Sequence, residues 1–456
     1  MPLQKNQVLT LRVERLSSDG SGVAHSPDGE TVFIPGAAPG DEARVRIVKD
    51  CKRYAFGILD EVLTPSPDRI PVDCAVAGPC GGCSLRHLDY AAELRAKQEN
   101  VADAFARIGG LDVPVLPIVG SPEVNRYRNK VQFPVGVDKS GKPCIGFYAG
   151  RTHRIVPCPD CRLQPGVLNE IGNALCAFFA EKGIQPYSEE TGRGLVRHIF
   201  LRRGAHSGQI MVCLVCTCAK LPSAEELCTR LKAQFAEITT ILLNVNAKNT
   251  NVILGTETHT LYGQGYIEDT LCGVPVQLGP LSFYQVNTLA AEQLYGIAAQ
   301  YAQLTPDDLL LDLYCGMGTI GLSMAAHCRE LIGVEIVPEA IESAKANAAR
   351  MGADVTAKSR FFCADAGQAA TRLAAEGLHP DIVMLDPPRK GCDEATLSAV
   401  VRMSPRRVVY VSCNPATAAR DAAWLEQNGY HAEKVQPVDL FPRTRHCECV
   451  LSFSKV

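Results

Sequence analysis

Cys413 has the sequence context of a covalent nucleophile. It follows four apolar, strand-forming residues and a serine in the stretch VVYVSCNP. The next two residues, Asn414-Pro415, end the strand, because proline fixes its φ angle and has no N–H for a sheet ladder. Open α/β sheets place their reactive groups at the carboxyl ends of strands. We therefore interpret Cys413 as a nucleophile, against the alternative of a buried core thiol.

A glycine-rich turn predicts a nucleoside-type cofactor next to this strand end. The strand LLLDLYC leads into Gly316-Met317-Gly318-Thr319-Ile320-Gly321, where glycines permit a tight turn ahead of a helix N-terminus. Glu335 follows Gly316 by 19 residues and ends another strand, where a carboxylate can bind both ribose hydroxyls. Nicotinamide dehydrogenases share this pattern. The tetrad Asp386-Pro387-Pro388-Arg389 is characteristic of methyltransferases that act on planar nitrogen rings, so we expect S-adenosylmethionine.

These groups match one chemical problem, the methylation of carbon 5 of uracil. That carbon is a poor nucleophile until a thiolate adds to carbon 6, and a base must afterwards remove the carbon-5 proton. Glu448 begins the last apolar strand, within HCECVLSF, and could be that base. The alternatives are methylation of an exocyclic amine, which needs no nucleophilic cysteine, and a non-catalytic RNA-binding or iron–sulfur sensor protein.

Five sequence elements resemble the RNA uracil-5 methyltransferase family of the RumA/TrmA type. They are SFYQVN, DLYCGMG, DPPRKG, VSCNP and the final His-x-Glu. The resemblance implies Cys413 as the nucleophile and Glu448 as the base. It implies that six residues surround the methyl donor: Gln285, Tyr314, Thr319, Glu335, Asp365 and Asp386. Thr319 departs from the asparagine that is common at its position in the family.

A cysteine cluster predicts a metal centre. Cys74, Cys80 and Cys83 form a C-x5-C-G-G-C pattern, and the later segment VPCPDCRLQ offers Cys158 and Cys161. From the residues alone, Cys80, Cys83, Cys158 and Cys161 could hold zinc, or the first three with one later cysteine could hold a 4Fe-4S cluster. The spacing resembles that of iron–sulfur uracil methyltransferases, which implies a cluster with Cys161 as the fourth ligand.

The amino-terminal segment resembles a TRAM domain, an OB-like RNA-binding module. Short alternating strands are separated by Gly, Pro and Asp turns, including Gly20-Ser21-Gly22, Val32–Gly36 and Pro39-Gly40-Asp41. The tRNA branch of the family lacks both this domain and the cysteine cluster, so the resemblance favours 23S ribosomal RNA as the substrate. Transfer RNA is the alternative substrate. The stretch Arg126–Lys130 interleaves cations with Tyr127 and predicts phosphate contact and base stacking.

Composition excludes few functions. The net charge of −3 gives no overall case for nucleic-acid binding. No apolar run could span a bilayer, and twenty cysteines are more often reduced, metal-bound or catalytic in a cytoplasmic protein than paired in disulfides. We therefore expect a cytoplasmic monomer that does not associate with membranes.

The predicted fold class is α/β with three domains. Residues 1–63 form the OB-like TRAM barrel, and residues 64–270 form an α/β central domain with the iron–sulfur cluster. Residues 271–456 alternate strands and helices, which predicts a doubly wound, Rossmann-like S-adenosylmethionine-dependent methyltransferase domain.

Overall fold

A closed five-stranded barrel forms the amino-terminal part of the computed structural model, which describes residues 3–150 and 152–456. Its strands, in the barrel order β1-β2-β3-β5-β4, are β1 (Val8–Leu16), β2 (Ser21–His25), β3 (Thr31–Pro35), β4 (Glu42–Asp50) and β5 (Tyr54–Thr64). The interior is closely packed: a Cβ atom on Gly57 would lie 2.3 Å from a methyl carbon of Val45. Only glycine fits at that position of β5.

The middle of the chain forms a seven-stranded sheet flanked by helices. In spatial order the strands are β12 (Glu257–Tyr262), β11 (Ile238–Val245), β10 (Ile210–Cys216), β9 (Val196–Arg203), β6 (Lys130–Val137), β7 (Pro143–Tyr148) and β8 (Ile155–Pro157). The helices of this part are α1 (Ala77–Cys80), α2 (Tyr90–Ala104), α3 (Gly166–Glu181) and α4 (Ala224–Gln234). A π-helical turn, Phe105–Gly109, continues α2. Strands β9 and β10 are buried at almost every position, as expected of central strands.

The carboxyl-terminal part is a second seven-stranded sheet. Its spatial order is β17 (Ser359–Cys363), β16 (Glu330–Glu335), β15 (Leu309–Leu313), β18 (Ile382–Leu385), β19 (Arg407–Ser412), β21 (Glu448–Lys455) and β20 (Tyr430–Val438). The first five strands are parallel, and β21 runs antiparallel between β19 and β20. The doubly wound order spreading from β15 confirms the predicted fold class.

Helices connect these strands and cover the sheet. They are α5 (Thr288–Ala302), α6 (Thr319–Met324), α7 (Pro338–Met351), α8 (Ala353–Lys358), α9 (Ala366–Ala375), α10 (Glu394–Met403) and α11 (Pro415–Gln427). A single 3-10 turn, Ala325–His327, follows α6. A hairpin of β13 (Ile267–Leu271) and β14 (Val274–Leu278) precedes α5 and packs into the same apolar core as this helix. Among the described residues, no helix combines the length and apolar character needed to cross a bilayer.

Candidate active site

The residues predicted to react lie at one edge of the carboxyl-terminal sheet. Leu385 is paired with Leu313 on one side and with Tyr410 on the other. Three parallel strands therefore end side by side, and the residues that follow them face a common crevice. Asp386 follows β18, and Cys413 follows β19.

Glu448 reaches the same edge from the antiparallel strand. Ser412 of β19 is paired with Cys449 of β21, so Cys413 and Glu448 occupy the next positions of the same strand pair. Glu448 is buried, with 5% of its surface exposed, whereas Cys413 is half-buried. The base and nucleophile predicted from the sequence are thus neighbours.

Electrostatics in this crevice favour protonated acids. Burial and the nearby charge of Asp386 raise the pKa of Glu448 to about 8, and burial raises the pKa of Asp386 to about 7. Burial, Glu448 and Asp386 together raise the pKa of the Cys413 thiol to about 11. The exposed Arg389 acts in the opposite direction on both Cys413 and Glu448. Because the two carboxyl groups interact, their apparent pKa values belong to the pair.

The glycine-rich turn is fixed by two acidic side chains. The Gly316 N–H donates to Glu335 Oε2 at 3.2 Å, and the Gly321 N–H donates to Asp312 Oδ2 at 3.0 Å. A Cβ on Gly321 would lie 2.8 Å from that same Asp312 oxygen, so only glycine permits the approach. Asp312 was not predicted as a site residue. Burial raises its pKa to about 8, and its Oδ1 has no hydrogen-bond partner among the described residues.

Tyr295 is a second residue that sequence reasoning missed. It is buried in α5, and the side chains of Gln285, Thr319 and Asp386 all lie close enough to its hydroxyl to influence its pKa, which burial raises. Three predicted donor-site residues therefore surround one phenol. Asn129 also holds this region, because its Nδ2 donates to the backbone oxygen of Gln285 at 2.8 Å. A lone tyrosine in an apolar helix carries no sequence signal for this role.

The remaining two predicted donor residues lie at the same edge but are engaged locally. Tyr314 has a positive φ of 66° at the start of the turn, and its hydroxyl lies 3.4 Å from Thr396 Oγ1. Asp365 caps α9, since its Oδ1 accepts the Gln368 N–H at 3.1 Å. Both residues follow strands that end at this edge of the sheet, and Asp365 lies after the outermost strand, β17.

The prediction that Tyr127 stacks on RNA bases is wrong. Tyr127 is 5% exposed, and its hydroxyl donates to the backbone oxygen of Pro442 at 3.0 Å. Arg126 is also engaged within the protein, since it donates to the backbone oxygen of Cys161 at 2.8 Å and pairs with Asp160. This stretch supports the fold, and only its later cations are candidates for phosphate contact.

A loop that we call the tail loop, residues 439–447, leads into Glu448 and is held by α2. Lys97 donates to Asp439 Oδ1 at 2.8 Å and to the backbone oxygen of Phe441 at 3.2 Å. Glu93 accepts the Arg443 N–H at 2.7 Å. The central part of the chain therefore positions the segment that carries the base.

The predicted metal-binding cysteines share one neighbourhood. Burial raises the pKa values of Cys80 and Cys83, and the thiol of Cys161 raises both further. The thiol of Cys161, together with the charges of Cys74 and Cys80, also raises the pKa of Cys158. Among residues 3–150 and 152–456, however, no group of three or more His, Cys, Asp or Glu side chains is arranged to hold a metal ion.

Arg86 faces this cysteine group with unused donors. It is 3% exposed, pairs with Asp73 at 2.8 Å, and interacts with the thiol of Cys83. Its Nε and Nη2 atoms are buried without a hydrogen-bond partner among the described residues. Several thiols beside an under-satisfied guanidinium fit a bound group that carries negative charge.

Comparison with known proteins adds the family context. Residues 223–456 match the family described as tRNA (Uracil-5-)-methyltransferase, and residues 2–59 match the TRAM domain. A protein of Halalkalibacterium halodurans named "Uncharacterized RNA methyltransferase" is 43% identical over 450 residues, which is 98% of this chain and 97% of the relative. One of the same description from Bacillus cereus is 41% identical and covers 100% of this chain and 98% of its own length.

One solved structure is similar over the whole chain. It is the Pyrococcus abyssi tRNA (uracil-54, C5)-methyltransferase in complex with S-adenosyl-L-homocysteine. The TM-score is 0.78 at 27% sequence identity, and the match covers 98% of this chain and 100% of that one.

Proposed function

Because the chain belongs to the tRNA (uracil-5-)-methyltransferase family and carries a TRAM domain, we propose that it methylates carbon 5 of a specific uridine in 23S ribosomal RNA. It is an RNA methyltransferase that uses S-adenosylmethionine. The observation that carries the proposal is the meeting of Cys413 and Glu448 at adjoining ends of β19 and β21, with Asp386 beside them.

Cys413 is the proposed nucleophile. Its sulfur forms a bond with carbon 6 of the uracil, and its proton passes to the carboxylate of Asp386, so that Glu448 stays ionised for the last step. The electrons of the carbon 5–carbon 6 double bond become available at carbon 5, which takes the methyl group from the sulfonium and releases S-adenosylhomocysteine. A thiol whose pKa is raised to about 11 needs such a proton acceptor, because only the thiolate attacks.

Glu448 is the proposed base for the last step. It removes the proton from carbon 5, the double bond re-forms, and the bond from carbon 6 to sulfur breaks. A carboxylate with a pKa near 8 is a stronger base than an ordinary glutamate. Its burial favours uptake of the proton, because desolvation in this crevice raises the free energy of the anion relative to that of the neutral acid.

Six residues are proposed to surround the methyl donor: Gln285, Tyr314, Thr319, Glu335, Asp365 and Asp386. Glu335 is the best supported, because it ends β16 beside the glycine-rich turn and already accepts the Gly316 N–H. We add Tyr295 as a positioning residue, since its buried hydroxyl lies beside Gln285 and Thr319.

The target uridine must leave its stack to reach this crevice. Unpaired loops lose the least energy in that step, so a loop of 23S ribosomal RNA, modified in the cytoplasm, is the proposed site. Transfer RNA is the second candidate, and the similarity to a tRNA (uracil-54, C5)-methyltransferase favours it. The cysteine pattern favours the ribosomal substrate, whereas the barrel does not separate the two candidates, because the match to the tRNA enzyme covers 98% of this chain.

We also propose that Cys74, Cys80, Cys83 and Cys161 hold a 4Fe-4S cluster. The mutual influence of these thiols and the unused donors of Arg86 support a bound anionic group. Binding of the cluster would require these side chains to rearrange, because no group among the described residues is arranged to hold a metal ion. When bound, the cluster would supply a rigid cross-link, and no step of the methyl transfer passes through it.

Mapping of 5-methyluridine tests the function. Ribosomal and transfer RNA from cells lacking the protein should lose 5-methyluridine at a position in 23S RNA, and wild-type protein should restore it in vitro. Loss confined to transfer RNA would select the second candidate. Cys413→Ala should abolish the activity, and full methylation by that variant would contradict the proposed nucleophile.

A further inference from the structure

Three aromatic side chains form a contiguous group on the outer surface of the barrel. Phe33, Tyr54 and Phe56, which we call the aromatic triad, have ring centroids 5.7 Å, 5.9 Å and 5.6 Å apart. Tyr54 meets both phenylalanines edge to face, at interplanar angles of 79° and 87°. The strand register explains the grouping, because Phe33 of β3 is paired with Phe56 of β5.

The triad is not part of the barrel core. On β5 the inward positions hold the small residues Ala55 and Gly57, both buried, whereas Tyr54 and Ile58 are 39% and 48% exposed. Other side chains fill the barrel core: Val32 and Ile34, the neighbours of Phe33 on β3, are fully buried. Large apolar side chains that face solvent without serving the core mark a binding surface.

Unpaired cations border the triad. Lys49 of β4 is paired with Phe56, and Lys52 and Arg53 form the exposed turn that leads into Tyr54. In the part of the chain that the structure describes, none of the three cations takes part in an ion pair, although Asp50 accepts the Lys52 backbone N–H. Aromatic faces beside free cations match unpaired RNA, whose bases can stack and whose phosphates are anionic.

The barrel is also close to the catalytic edge. The Asp19 backbone oxygen accepts from Arg445 of the tail loop at 3.5 Å, and a Cβ on Gly20 would lie 3.4 Å from the Arg445 Cβ. The tail loop continues directly into Glu448. An RNA whose uridine occupies the crevice can therefore extend past the barrel.

We propose that the aromatic triad, with Lys49, Lys52 and Arg53, binds an unpaired segment of the substrate RNA by base stacking, outside the catalytic crevice. This inference rests on the proposed function only in that the substrate is RNA. Stacking tolerates any base, so the triad contributes affinity and orientation, and the crevice selects the uridine. Double-stranded RNA is excluded from the triad because its bases are already stacked on one another.

The test is binding of a fluorescein-labelled 12-nucleotide oligouridylate to the full-length protein. Phe33→Ala, Tyr54→Ala and Phe56→Ala should each weaken binding about tenfold, without changing the slope of affinity against salt, because the rings carry no charge. Lys52→Gln and Arg53→Gln should reduce that slope. Crosslinks from 4-thiouridine in the same oligonucleotide should map to the triad.

Two control variants change residues of the same barrel. Val8→Ala removes an aliphatic side chain that is 51% exposed on β1 and should leave binding unchanged, and Tyr54→Phe should retain it. Triad variants that bind the oligouridylate like wild type would overturn the inference and point to a protein partner for this face. An equal loss of binding to the duplex with oligoadenylate would also overturn it.

A methylation assay distinguishes failure of this inference from failure of the proposed function. Triad variants should form 5-methyluridine at the wild-type rate when RNA is saturating, with a raised KM. If the wild-type protein forms none, the proposed function fails, while the binding comparison still decides the role of the triad.

Discussion

The ammonium group of Lys97 lies 2.8 Å from the carboxylate of Asp439, and both side chains are buried although 342 residues separate them in sequence. Lys97 makes a second ion pair with Glu93, also at 2.8 Å. One buried cation thus bridges two buried carboxylates and joins α2 to the tail loop. The position of Glu448 depends on a residue of the central part of the chain.

Removing this cation should destabilise the protein strongly. Lys97→Met removes the cation that Glu93 and Asp439 share and leaves Asp439 without an ion pair, which should lower the free energy of unfolding by about 3–5 kcal/mol. Arg95→Gln, which breaks an exposed ion pair on the same helix, should cost at most about 1 kcal/mol. Urea unfolding of both variants gives the comparison, and equal losses would contradict a special role for Lys97.

Glu448→Gln should separate the two halves of the reaction. Without a base, the methylated intermediate cannot release the enzyme, so RNA should remain covalently attached to Cys413 and migrate with the protein on denaturing gels. The double variant with Cys413→Ala should form no such complex. Normal release of 5-methyluridine from Glu448→Gln would assign the base to another residue.

Arg389 should set the pH range of the activity. The base acts as a carboxylate, so kcat/KM should rise with pH through about 8, where Glu448 loses its proton. Arg389 lowers the pKa values of both Glu448 and Cys413. In Arg389→Gln the rise should therefore move to higher pH, with Arg389→Lys close to wild type. A shift to lower pH would show that the sign of this interaction is wrong.

Tyr295→Phe should weaken binding of S-adenosylmethionine. The variant removes the hydroxyl that lies beside Gln285 and Thr319 and should raise the Kd by up to about tenfold, the effect of losing one polar contact. Tyr301→Phe, in the same helix, serves as the control, because Tyr301 packs beneath Lys434. Calorimetric titration measures both, and an unchanged Kd for Tyr295→Phe would remove it from the donor site.

The cysteine group should bind iron and sulfide. Anaerobically purified protein should contain about four iron atoms and absorb broadly in the visible range, as 4Fe-4S proteins do. Cys83→Ser should lose both signals, whereas Cys218→Ser, at an exposed cysteine elsewhere, should keep them. Colourless protein that carries zinc would support the tetrathiolate alternative.

The sequence was most informative where chemistry is local. Cys413 and Asp386 could be placed at strand ends because each follows an apolar run and is itself followed by a proline within two residues. The strand order confirms that these two ends adjoin. Tyr295 could not be found, since its role arises from packing against residues of two other segments. The stacking role of Tyr127 was predicted from its basic neighbours, but a side chain's burial depends on the tertiary structure, which local sequence does not reveal.

The position of β21 has a consequence for synthesis of the protein on the ribosome. This strand lies between β19 and β20 but follows both in the sequence, so the sheet stays incomplete until the residues from 448 onward have been translated. Cys413 is translated 35 residues before Glu448, the difference between their positions in the sequence. A nascent chain can thus display its reactive thiol while it still lacks the group that releases the RNA, and productive turnover must wait for the last strand to insert.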